Sequence, residues 1–256
     1  MRKIIINIIC IFIPSKDLRH KLRDKIQNGY TSYSFPYKIR GKNNKIIIVK
    51  NGVERKLKFM ERIPGLNIKI NGNNNLIKLE LPIISKNSTI EISNDNANVE
   101  IGTTNRFYNV RISIALGDSQ VLKIGKNIIV WEAYFALLDS NAMVYIGDNC
   151  LFSNSISIYP QDGHSILDKD TDEIINEPKK PLIIGNHVWI GEGVKITKNA
   201  RIYDNSIVGI GSVACKDYKE GNVIIAGNPG KIVKQNISWD IKNTYLLKKE
   251  REKNHD

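Results

Sequence analysis

The residue best suited to acid–base chemistry in this sequence is His164, in the tripeptide Asp162-Gly163-His164. Imidazole titrates near ~6.5, so at neutral pH it can take a proton from a hydroxyl or an amine. The chain has four histidines. His20 and His255 lie in basic or terminal segments and read as solvated. His187 stands in a turn beside Asn186, where a structural role or a place next to a ligand are both open. A zinc site of the catalytic type wants three protein ligands. Only His164 and His187 fall in one region, and Cys10, Cys150 and Cys215 form no C-x-x-C pair, so neither a metal site nor a disulfide framework is expected. Asp162 has two readings, a turn carboxylate or a group that orients His164 or binds an acceptor.

The element that must position His164 is a repeat. Aliphatic residues recur every six positions at Ile184, Ile190, Ile196, Ile202 and Val208, and a small or β-branched residue follows four positions after each, at Val188, Val194, Ala200, Ser206 and Ser212. The rhythm is also present at Ile124, Val130 and Ala136 and at Ile146, Phe152 and Ile158. Six residues make one flat strand and one corner, and three such units close a triangular coil of about 18 residues. One coil cannot bury its own core, so stability must come from stacked neighbours. The rhythm stops between Ile158 and Ile184. Insertions in a solenoid leave as loops, and loops on a rigid scaffold commonly carry sites, which is where His164 falls.

The rest of the chain fits around this core. Its 256 residues are 41% hydrophobic and 25% charged, an ordinary composition for a soluble protein, and a reducing cytoplasm fits the cysteines. Residues 1–29 form an N-terminal amphipathic segment: an apolar run from Ile4 to Ile13, too short to span a bilayer, then a basic helix that packs on the body or rests on an anionic inner membrane face. Residues 30–120 read as an irregular β-coil extension, a candidate for acceptor binding. Residues 121–236 are the hexapeptide-repeat domain, and 237–256 a charged C-terminal helix. The net charge of +12 suits a solvated lysine-rich surface or an anionic partner. Sparse aromatics and the lack of a recognition helix argue against nucleic acid.

The segment Ile183–Val233 resembles the hexapeptide-repeat acyltransferases, through IIGNHVWIGEGVKI, DNSIVGIGSVACKD and VIIAGNPGKIVK in that order and spacing. The resemblance reaches back to about Val121 and takes in the DGH tripeptide. By eye it is nearest to bacterial surface-polysaccharide O-acetyltransferases and galactoside-type acetyltransferases. It implies an all-β fold, a left-handed parallel β-helix (a solenoid) with short terminal helices. The hand comes from the resemblance alone, since general rules favour right-handed crossovers.

The resemblance also implies roles. His164 matches the catalytic base of a direct attack on acetyl-CoA, the donor substrate, with no metal. A backbone N–H near Gly191-Glu192 matches the oxyanion donor, although Glu192 stands where a small residue is usual. Trp189, Gly191 and the turn Gly209-Ile210-Gly211-Ser212 match the pantetheine wall, and Lys216, Lys231 and Lys234 match positions that reach the adenosine phosphates. Trp131 and Glu132 replace a polar segment that helps hold the sugar, and Asn154 is placed with them on the acceptor side. The expected activity is O-acetylation of a sugar hydroxyl in a surface polysaccharide or its precursor, by a homotrimer. The rivals are N-acetylation of an amino sugar nucleotide and a non-catalytic β-helix that binds polysaccharide or protein.

Overall fold

A computed structural model describes residues 37–58, 60–178 and 180–253. The amphipathic segment at 1–29, with Cys10 and His20, and His255 at the other end, lie outside the described residues. No helix among the described residues is long and apolar enough to cross a membrane.

Twenty-four strands among the described residues form three eight-stranded sheets, which are the faces of a triangular prism. The chain visits face A, then B, then C, and returns to A one level on. Every pairing between coils is parallel, and within the three sheets only the first and last hairpins, Lys45–Lys50 with Val53–Lys56 and Ile224–Ala226 with Lys231–Lys234, are antiparallel. The register stacks like on like. On face A, Ile68, Ile90, Ile112, Phe135, Ile158, Ile196 and Ala214 sit one above another, all at most 1% exposed. Burying each large aliphatic contributes roughly 1.5–3 kcal/mol, and no rung does this without its neighbours. The hexad residues Ile184, Ile190, Ile196, Ile202 and Val208 are all at most 1% exposed, as the repeat requires.

The strands on either side of residue 120 belong to the same three sheets. What differs is coil length. Corner contacts link positions 22 or 23 apart in the earlier coils (Asn73 with Asp95, Ile128 with Asn105) but 18 apart later (Asn186 with Asp204). The extra residues lengthen the strands, six residues each at Leu66–Asn71 and Leu76–Leu81 against three and two at Lys195–Thr197 and Arg201–Ile202 on the same two faces, which hides the six-residue rhythm there. Asn74, Asn96, Asn127 and Asn149 turn those corners with positive φ, a conformation that asparagine tolerates better than branched residues do. Several also bond the matching asparagine of the next coil, as Asn127 Nδ2 does with Asn149 Oδ1 at 2.8 Å.

The C-terminal helix, Thr244–Lys253, is capped by Asn243, whose Oδ1 accepts the N–H of Leu246 at 2.9 Å. Before it, Trp239 docks on face C.

Candidate active site

The arm that carries His164 leaves face A after Ile156–Tyr159 and rejoins face B at Leu182–Ile184, so it projects from the A/B edge of the prism. His164 is exposed. Its backbone oxygen accepts Asn176 Nδ2 at 2.8 Å, and the same amide donates to Asp162 Oδ2 at 2.9 Å. Lys198, in the following A/B turn, donates to that Asp162 oxygen and, at 3.1 Å, to the carbonyl of Asn176. Partial burial pushes the Asp162 carboxyl up. The bonds from Lys198 and Asn176 outweigh that and hold it below the usual carboxylate range. Of the readings of Asp162, these bonds favour the structural carboxylate: its Oδ2 accepts from Lys198 and Asn176, and no bond joins it to the imidazole among the described residues.

The other nominated residues gather mostly on the C/A edge, where each coil passes from face C to face A. Trp131-Glu132, then Asn154, then Gly191-Glu192 and then Gly209-Ile210-Gly211 follow one another down this edge. Backbone bonds join them: Glu132 N–H to the Ser153 carbonyl at 3.2 Å, Gly193 N–H to Asn154 at 3.0 Å, and Gly211 N–H to Glu192 at 2.8 Å. Gly191 is required by packing, because a Cβ there would lie 2.7 Å from the Ile210 nitrogen and 2.9 Å from the Val208 oxygen. Gly209 is not, since its Cβ would meet nothing closer than Ala226 Cβ at 3.4 Å, and a Cβ at Gly211 would meet nothing within 4 Å. The edge is therefore open beside Gly211, while a side chain at Gly209 would touch Ala226, Ile225 and Ser212 without a clash.

The Gly191 N–H is occupied by the Val208 carbonyl at 2.8 Å, whereas the Glu192 N–H finds no acceptor among the described residues. Of the two, only Glu192 has a backbone donor left for an incoming oxyanion. The Glu192 side chain is exposed, so its carboxylate can stay hydrated away from that N–H.

Some nominations land elsewhere. Ser212 is 1% exposed, and its hydroxyl accepts the Gly227 N–H at 3.0 Å, so it shapes the turn from inside and does not line the groove. Trp189 faces outward from face C, 38% exposed, with its ring 6.0 Å from Trp239. Trp239 also stacks on His187 at 4.2 Å and donates to the His187 carbonyl at 2.8 Å, and His187 Nδ1 lies 3.0 Å from Asn205 Oδ1. That cluster gives His187 a structural role. The three lysines are dispersed. Lys216 is at the A/B edge, with its ammonium 5.6 Å from the Tyr218 ring, while Lys231 and Lys234 lie at opposite ends of the last strand of face C. Trp131 is half-exposed and stacks on Tyr108 at 4.9 Å, and Glu132 accepts the backbone and hydroxyl of Ser155, both at 3.2 Å.

Sequence reasoning missed Lys198, Asn176 and the docking of Trp239. Lys198 and Asn176 lie 36 and 14 positions from Asp162, so only the fold brings them together. The one available signal was the unusual tryptophan in an otherwise charged tail.

His164 and the Glu192 N–H stand on different edges of one prism. The run from Gly193 to Lys198 along face A, at roughly 3.3 Å per residue, puts about 16 Å between those edges.

No family model matches the chain. It is 31% identical over 126 residues to the polysialic acid O-acetyltransferase of Escherichia coli O1:K1, covering 49% of this chain and 40% of that protein. It is 32% identical over 117 residues to the galactoside O-acetyltransferase of Escherichia coli K12, covering 43% of this chain and 55% of that one. The chain thus spans about half the length of these curated relatives. Among solved structures, a polysialic acid O-acetyltransferase superposes with a TM-score of 0.62 at 27% identity, over 84% of this chain and 98% of that one. The shared architecture is the left-handed parallel β-helix.

Proposed function

We propose that this homologue of the hexapeptide-repeat O-acetyltransferases moves an acetyl group from acetyl-CoA to a hydroxyl of a sugar, in a bacterial surface polysaccharide or its precursor. The observation that carries the reading is the pairing of the exposed His164, tethered through its backbone carbonyl, with a glycine-walled edge. That edge also offers backbone N–H groups without an acceptor among the described residues, that of Glu192 lying between those of Asn154 and Ile210. His164 removes the proton of the sugar hydroxyl. The oxygen adds to the thioester carbonyl, and the Glu192 N–H donates to the resulting oxyanion. Collapse breaks the C–S bond, and the imidazolium returns its proton to the departing thiolate. The thin pantetheine arm lies beside Gly209 and Gly211, with Lys231 next to that turn as a point charge for phosphate. Trp131, Glu132 and Asn154 lie along the same edge on the acceptor side.

Because the two halves of this site stand on different edges, a neighbouring copy must supply one of them. A cyclic assembly packs the A/B edge of each copy against the C/A edge of the next, and a trimer does so three times. The half-exposed Ile166, Leu167, Ile174 and Ile175 on the arm support such a contact. The reading keeps the enzyme in the cytoplasm, with the N-terminal basic segment free to meet an anionic membrane face.

The test is a direct assay. Acetyl-CoA is offered with a panel of mono- and polysaccharides and of amino sugars, and the products are weighed by mass spectrometry. O-acetylated sugar is expected, and His164→Ala should lower kcat by roughly 10²–10⁴ while the fold melts unchanged. A clear preference for amines, or full activity in that variant, would overturn the acceptor class or the mechanism respectively.

A further inference from the structure

We propose that Lys198 and Asn176 are positioning residues for His164, a polar clamp that fixes the catalytic arm to the next coil of the prism. This rests on the reading of His164 as the base.

The arm needs such a device because apolar packing does not hold it to the body of its own copy. It is a short hairpin: Leu167 and Ile174 form an antiparallel bridge, Asp168 N–H donates to Glu173 at 2.8 Å, and Ile175 N–H donates to Ile166 at 2.9 Å. Its four large aliphatic side chains, Ile166, Leu167, Ile174 and Ile175, are each about half exposed. The hairpin bonds hold the two limbs to each other but not to the body.

The bonds at its root do. Asn176 is the knot on the descending limb. Its Oδ1 accepts the Ile166 N–H at 2.8 Å, and its Nδ2 reaches both the Asp162 carboxylate and the His164 carbonyl on the ascending limb. Lys198 then ties both limbs to the prism, through Asp162 and through the Asn176 carbonyl. Its own support is rigid: it sits in the turn between Ile196 and Ala200, both fully buried, and its side chain is only 23% exposed. Lys198 thus converts the fixed position of a core turn into a fixed position for the backbone on either side of Gly163, which takes φ +86° and, lacking a Cβ, has little intrinsic hold on its conformation. Hydrogen bonds between ionised partners are the strong kind, which suits a few contacts asked to hold an arm of this length. A base that drifts by about 1 Å can lose on the order of 10² in rate, so the clamp acts on kcat through placement and not through contact with substrate.

Three variants of the full chain test this: Lys198→Met, Lys198→Arg and Asn176→Ala. Two readouts are needed, steady-state acetyl transfer and the rate at which trypsin cuts the arm at exposed Lys169. The expectation for Lys198→Met is a kcat at least roughly tenfold lower with the KM for acetyl-CoA within about twofold, and cutting roughly tenfold faster. Lys198→Arg, which keeps the charge and two donors, should recover most of both. A kcat within twofold of wild type, or an unchanged cutting rate in Lys198→Met, overturns the proposal. Should Lys198→Met fail to fold, Asn176→Ala is judged by the same two thresholds. The cutting rate does not depend on activity. A wild-type chain that transfers no acetyl group would therefore sink the functional reading, while proteolysis still reports on the clamp.

Discussion

Two inactive variants of this chain should restore activity when mixed, because the proposed site draws its base from one copy and its groove from another. The first variant is His164→Ala, which empties the arm but leaves the C/A edge intact. The second is Gly209→Phe, which fills the groove. The Gly209 site admits a Cβ, which makes only ordinary contacts with Ala226 Cβ at 3.4 Å, the Ile225 carbonyl at 3.5 Å and Ser212 Oγ at 3.7 Å. About 16 Å of face A separates the arm from the groove in one copy, and the clamp at Asp162 keeps His164 on its own edge. In a cyclic assembly each arm meets the groove of the next copy. With equal amounts and random assembly, half the arms and half the grooves are intact, so about a quarter of the arm–groove pairs carry both working halves. The assay is co-refolding of the two variants, native mass spectrometry to show mixed assemblies, and release of free thiol from acetyl-CoA with an acceptor present. The expected rate is about one quarter of wild type. Mixed assemblies no more active than the separate variants would refute the reasoning, because the site would then lie within one copy.

Two further outcomes follow from particular contacts. Gly191→Ala should destabilise the fold by about 1–3 kcal/mol in urea melts, because its Cβ presses on backbone of the next coil, whereas Gly209→Ala should melt like wild type and raise the KM for acetyl-CoA. Near the N-terminal end, Arg55 donates to Glu61, with Nη1 to Oε2 at 2.7 Å, and this bond chiefly pulls the Glu61 carboxyl down to about 2 from an ordinary 4.5. A depressed carboxylate contributes stability that is fully present above 4.5 and fades as the pH falls towards 2, so Glu61→Gln should flatten the fall of thermal stability between those values.

The sequence by itself determined the prism. Ile184 to Val208 at six-residue spacing is a local pattern, and stacking identical coils turns it directly into a core, so the fold class was legible without any long-range information. The earlier coils were harder to read because longer strands on two of the faces stretch the period to 22 or 23 residues, which breaks the rhythm while leaving the sheets unbroken. His164 could be singled out because an insertion interrupts a repeat. What only the tertiary structure decided is which side chains share an edge. Ser212 looks like part of a glycine-rich turn, yet it points inward, because the side-chain direction at a corner depends on the corner's geometry and not on composition. Asp162 met a cation 36 positions away, and His187 met Trp239 across 52. In a solenoid, sequence spacing fixes the height of a residue along the axis. The face it occupies, and the partner it finds there, depend on how many residues each preceding strand and corner consumed.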